Sequence, residues 1–254
     1  MKNKKIALIL SGGGARGFFH LGVLKGLADL GIRVDRIQGT SAGALIGALF
    51  SGGKSPDEIA EIFFKMNFLK LFRLSFNRKG LISTKPLLKA LSEYFLDNSF
   101  ESLKIPLTVA CTDIRMGQIR YFSTGELLKP LVASAAIPVI FEPLEIEGNF
   151  YVDGGPLDNL PVKGISKNDY YLMGSNSNPI GPMRGSINMI SSTERAFFLA
   201  VNGNVSESKK ECDLMFEHPG MGGFRASDLR SGNKMIEFGL KAVQEKKKEL
   251  IQFI

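Results

Sequence analysis

The segment Ile6-Ala7-Leu8-Ile9-Leu10-Ser11-Gly12-Gly13-Gly14-Ala15-Arg16-Gly17 joins a continuous apolar run to a glycine-rich loop. An unbroken apolar run of this length suits a strand covered on both faces, as in a parallel sheet with helices above and below. Just beyond it, Leu21, Leu24, Leu27 and Ala28 recur at helical spacing, and Gly31 supplies a stop. The unit reads as strand, glycine loop, helix. A second such unit follows directly. Val34 to Gln38 is the predicted strand and Gly39-Thr40-Ser41-Ala42-Gly43 the turn. Ala44, Leu45, Ala48 and Leu49 form a small-residue helix that ends near Gly52-Gly53.

Farther out, Ser55-Pro56-Asp57-Glu58 has the cap, first-turn proline and acidic residues of a helix start, and another helix is expected from Thr84 with Pro86 in its first turn. Ile105 to Cys111 and Gln118 to Phe122 read as strands, and Leu127 to Ala136 as a helix stopped by Pro138. Leu144 to Ile146 and Phe150 to Val152 read as strands flanking the Glu147-Gly148-Asn149 turn, with a further strand at Tyr170 to Met173. The region from Gly174 to Gly223, rich in Asn, Ser and Gly, is expected to be mostly loop with one helix around Glu194 to Val201. Asp228 to the end reads as one long terminal helix. Strands alternating with helices predict an α/β fold with a largely parallel sheet.

Composition excludes several classes. With 254 residues, 44% hydrophobic and 22% charged, the chain is neither disordered nor collagen-like, and it is long enough to bury one sizeable core. A single domain over residues 1–254 is therefore the expectation, with a motif-bearing core at about 5–165 and a loop-rich, then helical, region at 174–254. The 32 basic and 25 acidic residues give a net charge of +7, compatible with nucleic acid, an anionic membrane or an acidic ligand. No RNP-like or zinc-finger pattern accompanies the basic residues, so nucleic acid is not the expected partner. Cys111 and Cys212 are too few for a disulfide framework, and Cys111 reads as a buried thiol. Lys2, Lys4 and Lys5 before an apolar run imitate a signal peptide, but the run is shorter than the roughly 7–15 residues such a segment needs. No stretch approaches the roughly 18 apolar residues of a membrane span. The expected location is cytoplasmic, with peripheral membrane contact left open.

The chemistry lies in three short stretches. Gly39-Thr40-Ser41-Ala42-Gly43, between a strand and a helix, has the form of a nucleophile elbow: small flanking residues permit a sharp turn that presents a serine at a helix N-terminus. The bland reading of the same residues is a glycine-flanked helix cap. In Gly12-Gly13-Gly14-Ala15-Arg16-Gly17, glycines let backbone N–H groups converge on an anion, either a pyrophosphate or a tetrahedral oxyanion. The dinucleotide fingerprint wants its acid at the end of the second strand, whereas Asp35 lies at the beginning of that run, which instead ends in the serine elbow. The oxyanion reading is preferred. In Tyr151-Val152-Asp153-Gly154-Gly155 a carboxylate at a strand end can reach into a cleft, although alone it would pass for a turn aspartate.

Two histidines bear on the mechanism. His20 reads as a partly buried helix histidine, and His218, before Pro219-Gly220, completes the chain order Ser41, Asp153, His218 of an α/β-hydrolase triad. That fold places several strands before its serine, where here there are one or two, so a Ser–Asp dyad is preferred. An aspartate of ordinary pKa, about 3.9, is a poor base at neutral pH. A dry cleft would raise it, and an oxyanion hole would supply much of the remaining catalysis.

Taken in order, Ser11-Gly12-Gly13-Gly14-Ala15-Arg16-Gly17, Gly39-Thr40-Ser41-Ala42-Gly43 and Asp153-Gly154-Gly155 resemble the patatin-like phospholipase family of serine acyl hydrolases. Ala133-Ser134-Ala135-Ala136-Ile137-Pro138 and Asn159-Leu160-Pro161-Val162 look like the stretches that flank the family's aspartate. The resemblance covers about residues 5–165. It implies a three-layer α/β/α fold, Ser41 as nucleophile, Asp153 as dyad partner, and the amides of Gly12, Gly13, Gly14 and Ala15 as oxyanion hole. Arg16, Gly17, Gly39, Gly43, Gly154 and Gly155 would support them, Arg16 by holding the loop or touching substrate. It implies no metal and no cofactor, and a phospholipid or lysophospholipid substrate. The alternatives are a membrane-surface or anion-binding protein without turnover, and an esterase dependent on His218.

Phe63 to Lys79 interleaves Phe63, Phe64, Phe68, Phe72 and Phe76 with Lys65, Lys70, Arg73, Arg78 and Lys79 and contains no acid. Such a stretch suits docking on an anionic bilayer. Aromatics at helical spacing more often mean core, and that reading is slightly favoured here.

Overall fold

From Ile6 onward the first strand, β1 (Lys5–Leu10), is buried, and its side chains divide between two cores. Ile6, Leu8 and Leu10 join a cluster with Phe18, Leu21, Leu45 and Leu49. Ala7 and Ile9 pack instead with Leu160, Val162, Leu172, Val201 and Val205. Successive strand residues face opposite sides of a sheet, so the continuous apolar run records that both faces are covered. The computed structural model describes residues 4–65, 74–77, 80–182 and 187–253.

The remaining strands are β2 (Arg36–Thr40), β3 (Leu74–Asn77), β4 (Gly80–Ile82), β5 (Leu107–Asp113), β6 (Gln118–Phe122), β7 (Leu144–Ile146), β8 (Asn149–Asp153), β9 (Tyr170–Ser175) and β10 (Leu214–Phe216). β3 and β4 form a separate antiparallel pair. The main sheet runs β10-β9-β1-β2-β5-β8-β7, with β6 also on β5. Its first five strands are parallel, and β6, β7 and β8 are antiparallel to their neighbours. The register aligns Leu10 with Gly39 and Ser175, Ser175 with Phe216, and Thr40 with Ala110. The carboxyl ends of the parallel strands therefore share one edge, where ligands of open α/β sheets bind.

The helices are α1 (Phe18–Asp29), α2 (Ala42–Ser51), α3 (Pro56–Lys65), α4 (Lys85–Ser92), α5 (Leu128–Ser134), α6 (Gly155–Asp158), α7 (Met189–Glu211), α8 (Gly232–Glu245) and α9 (Lys247–Leu250). α1 and α8 touch backbone to backbone. A Cβ on Gly22 would stand 2.0 Å from the Ile236 carbonyl oxygen, and one on Gly239 2.2 Å from that of Phe19. The central α/β expectation holds: a largely parallel sheet is flanked by helices.

Several local expectations require correction. The strands expected at 34–38 and 105–111 run two residues later, and Pro106 has no N–H to donate into a ladder. The region from Gly174 to Gly223 is not mainly loop. α7 has 23 residues, opened by a reciprocal Asn188–Ser191 capping box, and β10 extends the sheet beyond it. α7 is rich in Ser and Asn, but buried Phe198, Val201 and Val205 hold it to the protein. The terminal helix is broken at Lys246, which separates α8 from α9. In the aromatic–basic stretch, Phe63 is buried and Phe64 stacks on Phe18 with ring centroids 4.7 Å apart. Residues 74–77 form a strand, whereas Phe68, Lys70, Phe72, Arg73, Arg78 and Lys79 lie outside the described residues. Among the described residues no helix is long and apolar enough to cross a membrane.

Candidate active site

β2 and β8 approach β5 from opposite directions along the same side, because β6 occupies the other. Thr40 pairs with Ala110 and Asp153 with Cys111, the next residue of β5. The carboxyl ends of β2 and β8 therefore abut, and Ser41, one residue past β2, meets the last residue of β8. The Ser41 hydroxyl lies close enough to the Asp153 carboxyl to favour its ionised form.

Ser41 is buried and sits at φ 53°, ψ −124°, a conformation rare for a residue with a side chain and one that proteins hold at functional turns. Its N–H donates to Ser134 Oγ at 2.8 Å, and the Ser134 hydroxyl donates to the Ala110 carbonyl at 2.7 Å. Ser134 thus pins the elbow to β5. Gly43 permits the close seating of α2: an added Cβ would stand 2.3 Å from the Leu10 carbonyl oxygen and 2.6 Å from that of Ser11. Neither obstacle is a side chain that can swing away. Gly43→Ala is expected to destabilise the fold by about 3 kcal/mol, the upper part of the overpacking range. The check is denaturant unfolding beside Gly203→Ala, where nothing lies within 4 Å and the helix should gain roughly 0.5–1 kcal/mol.

Asp153 is held on three sides. Its N–H donates to the Ala136 carbonyl at 2.9 Å, its carbonyl accepts from Thr112 Oγ1 at 2.9 Å, and its Oδ1 accepts from Gly155 N–H at 2.8 Å. Burial pushes the carboxyl up to about 6, opposed by the nearby Ser41 hydroxyl and the bond from Gly155 N–H. Gly154 keeps the strand end close to β5, since a Cβ there would stand 2.5 Å from the Ala110 carbonyl oxygen.

The glycine loop crosses the same edge. The amides named from sequence divide into two kinds. Gly12 N–H donates to the Asn159 carbonyl at 3.1 Å and Ala15 N–H to the Ala226 carbonyl at 2.7 Å. Both are committed to holding the loop, which corrects their assignment as oxyanion donors. The N–H groups of Gly13 and Gly14 donate to no acceptor among the described residues. Gly17 packs the loop on α2, its Cβ position 3.0 Å from Ala42 Cβ, and Gly39 faces Ala44 N at 2.7 Å in the same sense.

Residues far along the chain complete the loop's support. Ser11 N–H donates to the Ser175 carbonyl at 3.1 Å, and Ser177 N–H to Ser11 Oγ at 3.0 Å. Ser177 Oγ, at 3.1 Å, and Asn178 Nδ2 both donate to the Gly12 carbonyl. His20 is fully buried rather than partly so. Its Nε2 lies 2.9 Å from the Ser11 carbonyl and its Nδ1 2.7 Å from Ser175 Oγ. A carbonyl only accepts, so Nε2 carries the proton and Nδ1 accepts from the hydroxyl. Burial pushes this histidine down to about 4, opposed by the Ser11 bond, so it stays neutral and structural.

Arg16 is occupied as a loop clamp. Its Nε and Nη2 donate to the Phe224 carbonyl at 2.9 and 2.6 Å, Nη1 donates to Asn178 Oδ1 at 3.2 Å, and Glu194 lies at 3.7 Å. Its guanidinium also sits 4.4 Å from the centre of the Phe198 ring. His218 begins a tight turn, where its Nδ1 accepts from Gly220 N–H at 3.1 Å and its ring stacks on Phe238 with centroids 4.1 Å apart. Those are the described partners of its side chain, and Ser41 and Asp153 are not among them. Among the described residues no group of three His, Cys, Asp or Glu is placed to hold a metal ion.

A largely parallel α/β sheet with a buried serine at a strand–helix elbow, beside a buried aspartate and a glycine loop, defines the class of protein. Residues 8–165 match the sequence profile described as patatin-like phospholipase, and the chain belongs to that family, one of lipid hydrolases. An uncharacterised NTE-family protein of Mycobacterium bovis is 32% identical over 185 residues, covering 71% of this chain and 51% of the relative. The neuropathy target esterase of Drosophila melanogaster is 34% identical over 170 residues, covering 64% of this chain and 12% of that protein. The chain thus spans about half or less of the length of these relatives. The crystal structure of VipD from Legionella pneumophila superposes with a TM-score of 0.66 at 14% identity, covering 97% of this chain and 67% of that one, a likeness of fold.

Proposed function

We propose that this chain hydrolyses fatty-acyl esters of phospholipids or lysophospholipids through a Ser41–Asp153 dyad. The observation that carries the reading is the abutment of the β2 and β8 ends on β5, which sets Ser41 beside a buried Asp153 whose carboxyl is pushed up to about 6. Asp153 takes the Ser41 proton as Oγ bonds to the ester carbonyl carbon. Negative charge gathers on the carbonyl oxygen, where the N–H groups of Gly13 and Gly14 receive it. Collapse breaks the bond to the alcohol, which leaves with the proton from Asp153, and an acyl-Ser41 ester remains. Water then attacks that ester, giving its proton to Asp153, and the fatty acid departs as Ser41 regains its hydrogen. The substrate is an acyl lipid on the strength of family membership. Arg16 acts by holding the glycine loop.

Because Asp153 must be ionised to accept the proton, kcat/KM is expected to rise with pH through about 6 and level off above it. A pH–rate series on a soluble ester checks this, and a profile already flat from pH 5 would contradict it. The function itself is tested by free fatty acid release from mixed phospholipid and lysophospholipid vesicles. Wild type and His218→Ala should release fatty acid and Ser41→Ala should not. Vesicle binding without release would favour a non-catalytic surface role, and loss in His218→Ala a histidine-dependent esterase.

A further inference from the structure

The dyad scheme leaves one buried polar head at its centre unused. Asn159 is only 3% exposed, and its Nδ2 has no hydrogen-bond partner among the described residues. An unpaired buried donor is uncommon and costly, so it calls for a reason. The residue's main chain already does the structural work: its carbonyl accepts from Gly12 N–H at 3.1 Å, and its N–H donates to Asn204 Oδ1 at 3.0 Å. The side chain is not needed for that tie.

Its place is defined by two glycines. A Cβ on Gly12 would stand 2.5 Å from Asn159 Oδ1 and 3.0 Å from Ser41 Cβ. One on Gly155 would stand 3.1 Å from Asn159 Oδ1 and 3.0 Å from Asp153 Oδ1. The amide head therefore lies beside both members of the dyad, in space that any side chain at 12 or 155 would fill. Rotation about the Cβ–Cγ bond, a broad torsion for asparagine, exchanges the two head atoms and carries Nδ2 to the side where Ser41 and Asp153 stand.

We infer that Asn159 is a further catalytic residue, whose Nδ2–H donates to the ester oxygen on which negative charge gathers as Ser41 adds. The inference rests on the proposed function and extends it. The donor lacks a partner in the resting protein and gains one in the transition state, so its contribution falls on the chemical step. It supplements the amides of Gly13 and Gly14.

The test compares wild type with Asn159→Ala and the isosteric Asn159→Asp. The readouts are kcat and KM on a short-chain ester, the rate of Ser41 phosphonylation by a fluorophosphonate, and the melting temperature. In both variants kcat and the phosphonylation rate should fall about 100-fold, the size of losing one oxyanion donor. KM should stay within about twofold, since only transition-state binding is lost. The melting temperature of Asn159→Ala should not fall. Wild-type kcat and phosphonylation in the folded variants, or a lowered melting temperature with kcat unchanged, would overturn the inference. If wild type releases no fatty acid while phosphonylation of Ser41 depends on Asn159 as expected, the lipid reading fails and the inference stands.

Discussion

Ser41→Ala is expected to lower kcat by about 10⁶-fold, the scale seen when a hydrolase loses its nucleophile. The fold should remain intact. The supports of the elbow are the Ser41 N–H bond to Ser134 and the close seating of Gly43, and neither uses the Ser41 hydroxyl. Removing that hydroxyl also removes one of the two neighbouring donors that hold Asp153 down, so the aspartate should titrate above its wild-type value of about 6. Fatty acid release and titration of the aspartate carboxyl by NMR check the two halves. Turnover within tenfold of wild type would place the nucleophile elsewhere.

Asp153→Asn should act in opposite directions on activity and stability. Without the base, kcat is expected to fall by about 10²–10⁴-fold, as general-base losses do. Stability follows from linkage. The carboxyl titrates near 6 in the folded protein and at an ordinary 3.8 when unfolded, so folding favours its protonated form. The corresponding stability is fully present below about pH 4 and is lost as pH rises through 6. An amide stays neutral at every pH. Relative to wild type, Asp153→Asn should therefore gain up to about 3 kcal/mol between pH 4 and pH 8, at 1.36 kcal/mol per unit of displacement. Urea unfolding of both proteins across that range measures it, and parallel pH curves would show that Asp153 is not desolvated as described.

The parts of the site legible in the sequence are those set by local sterics. Residues 12–17 and 39–43 and the pair after Asp153 need glycine because a backbone or side chain stands within about 3 Å of the missing Cβ, and such needs leave a spacing that can be read. The juxtaposition of Ser41 and Asp153 was legible only through the joint presence of the motifs, since it depends on the ends of β2 and β8 meeting along one side of β5. What could not be read depends on distant partners. The commitment of the Gly12 and Ala15 amides is made by Asn159 and Ala226, and the cradle around the Gly12 carbonyl by Ser177 and Asn178. The helix expected around Glu194 to Val201 lies inside α7, but its full length escaped because Ser and Asn favour turns, and only burial of Phe198, Val201 and Val205 outweighs that preference. β10 is three residues long, too short to carry a period. His20 and His218 look equivalent as letters. Only the fold shows one sealed against Ser11 and Ser175 and the other stacked on Phe238.

The most direct measurement is to mix the protein with a p-nitrophenyl fatty-acyl ester, quench in acid within the first turnover, and map the acylated peptide by mass spectrometry. A Ser41–Asp153 acyl hydrolase predicts one acyl group on the peptide containing Ser41, in wild type and in His218→Ala, and none in Ser41→Ala. An acyl group on another residue, or hydrolysis that continues undiminished in Ser41→Ala, would contradict it.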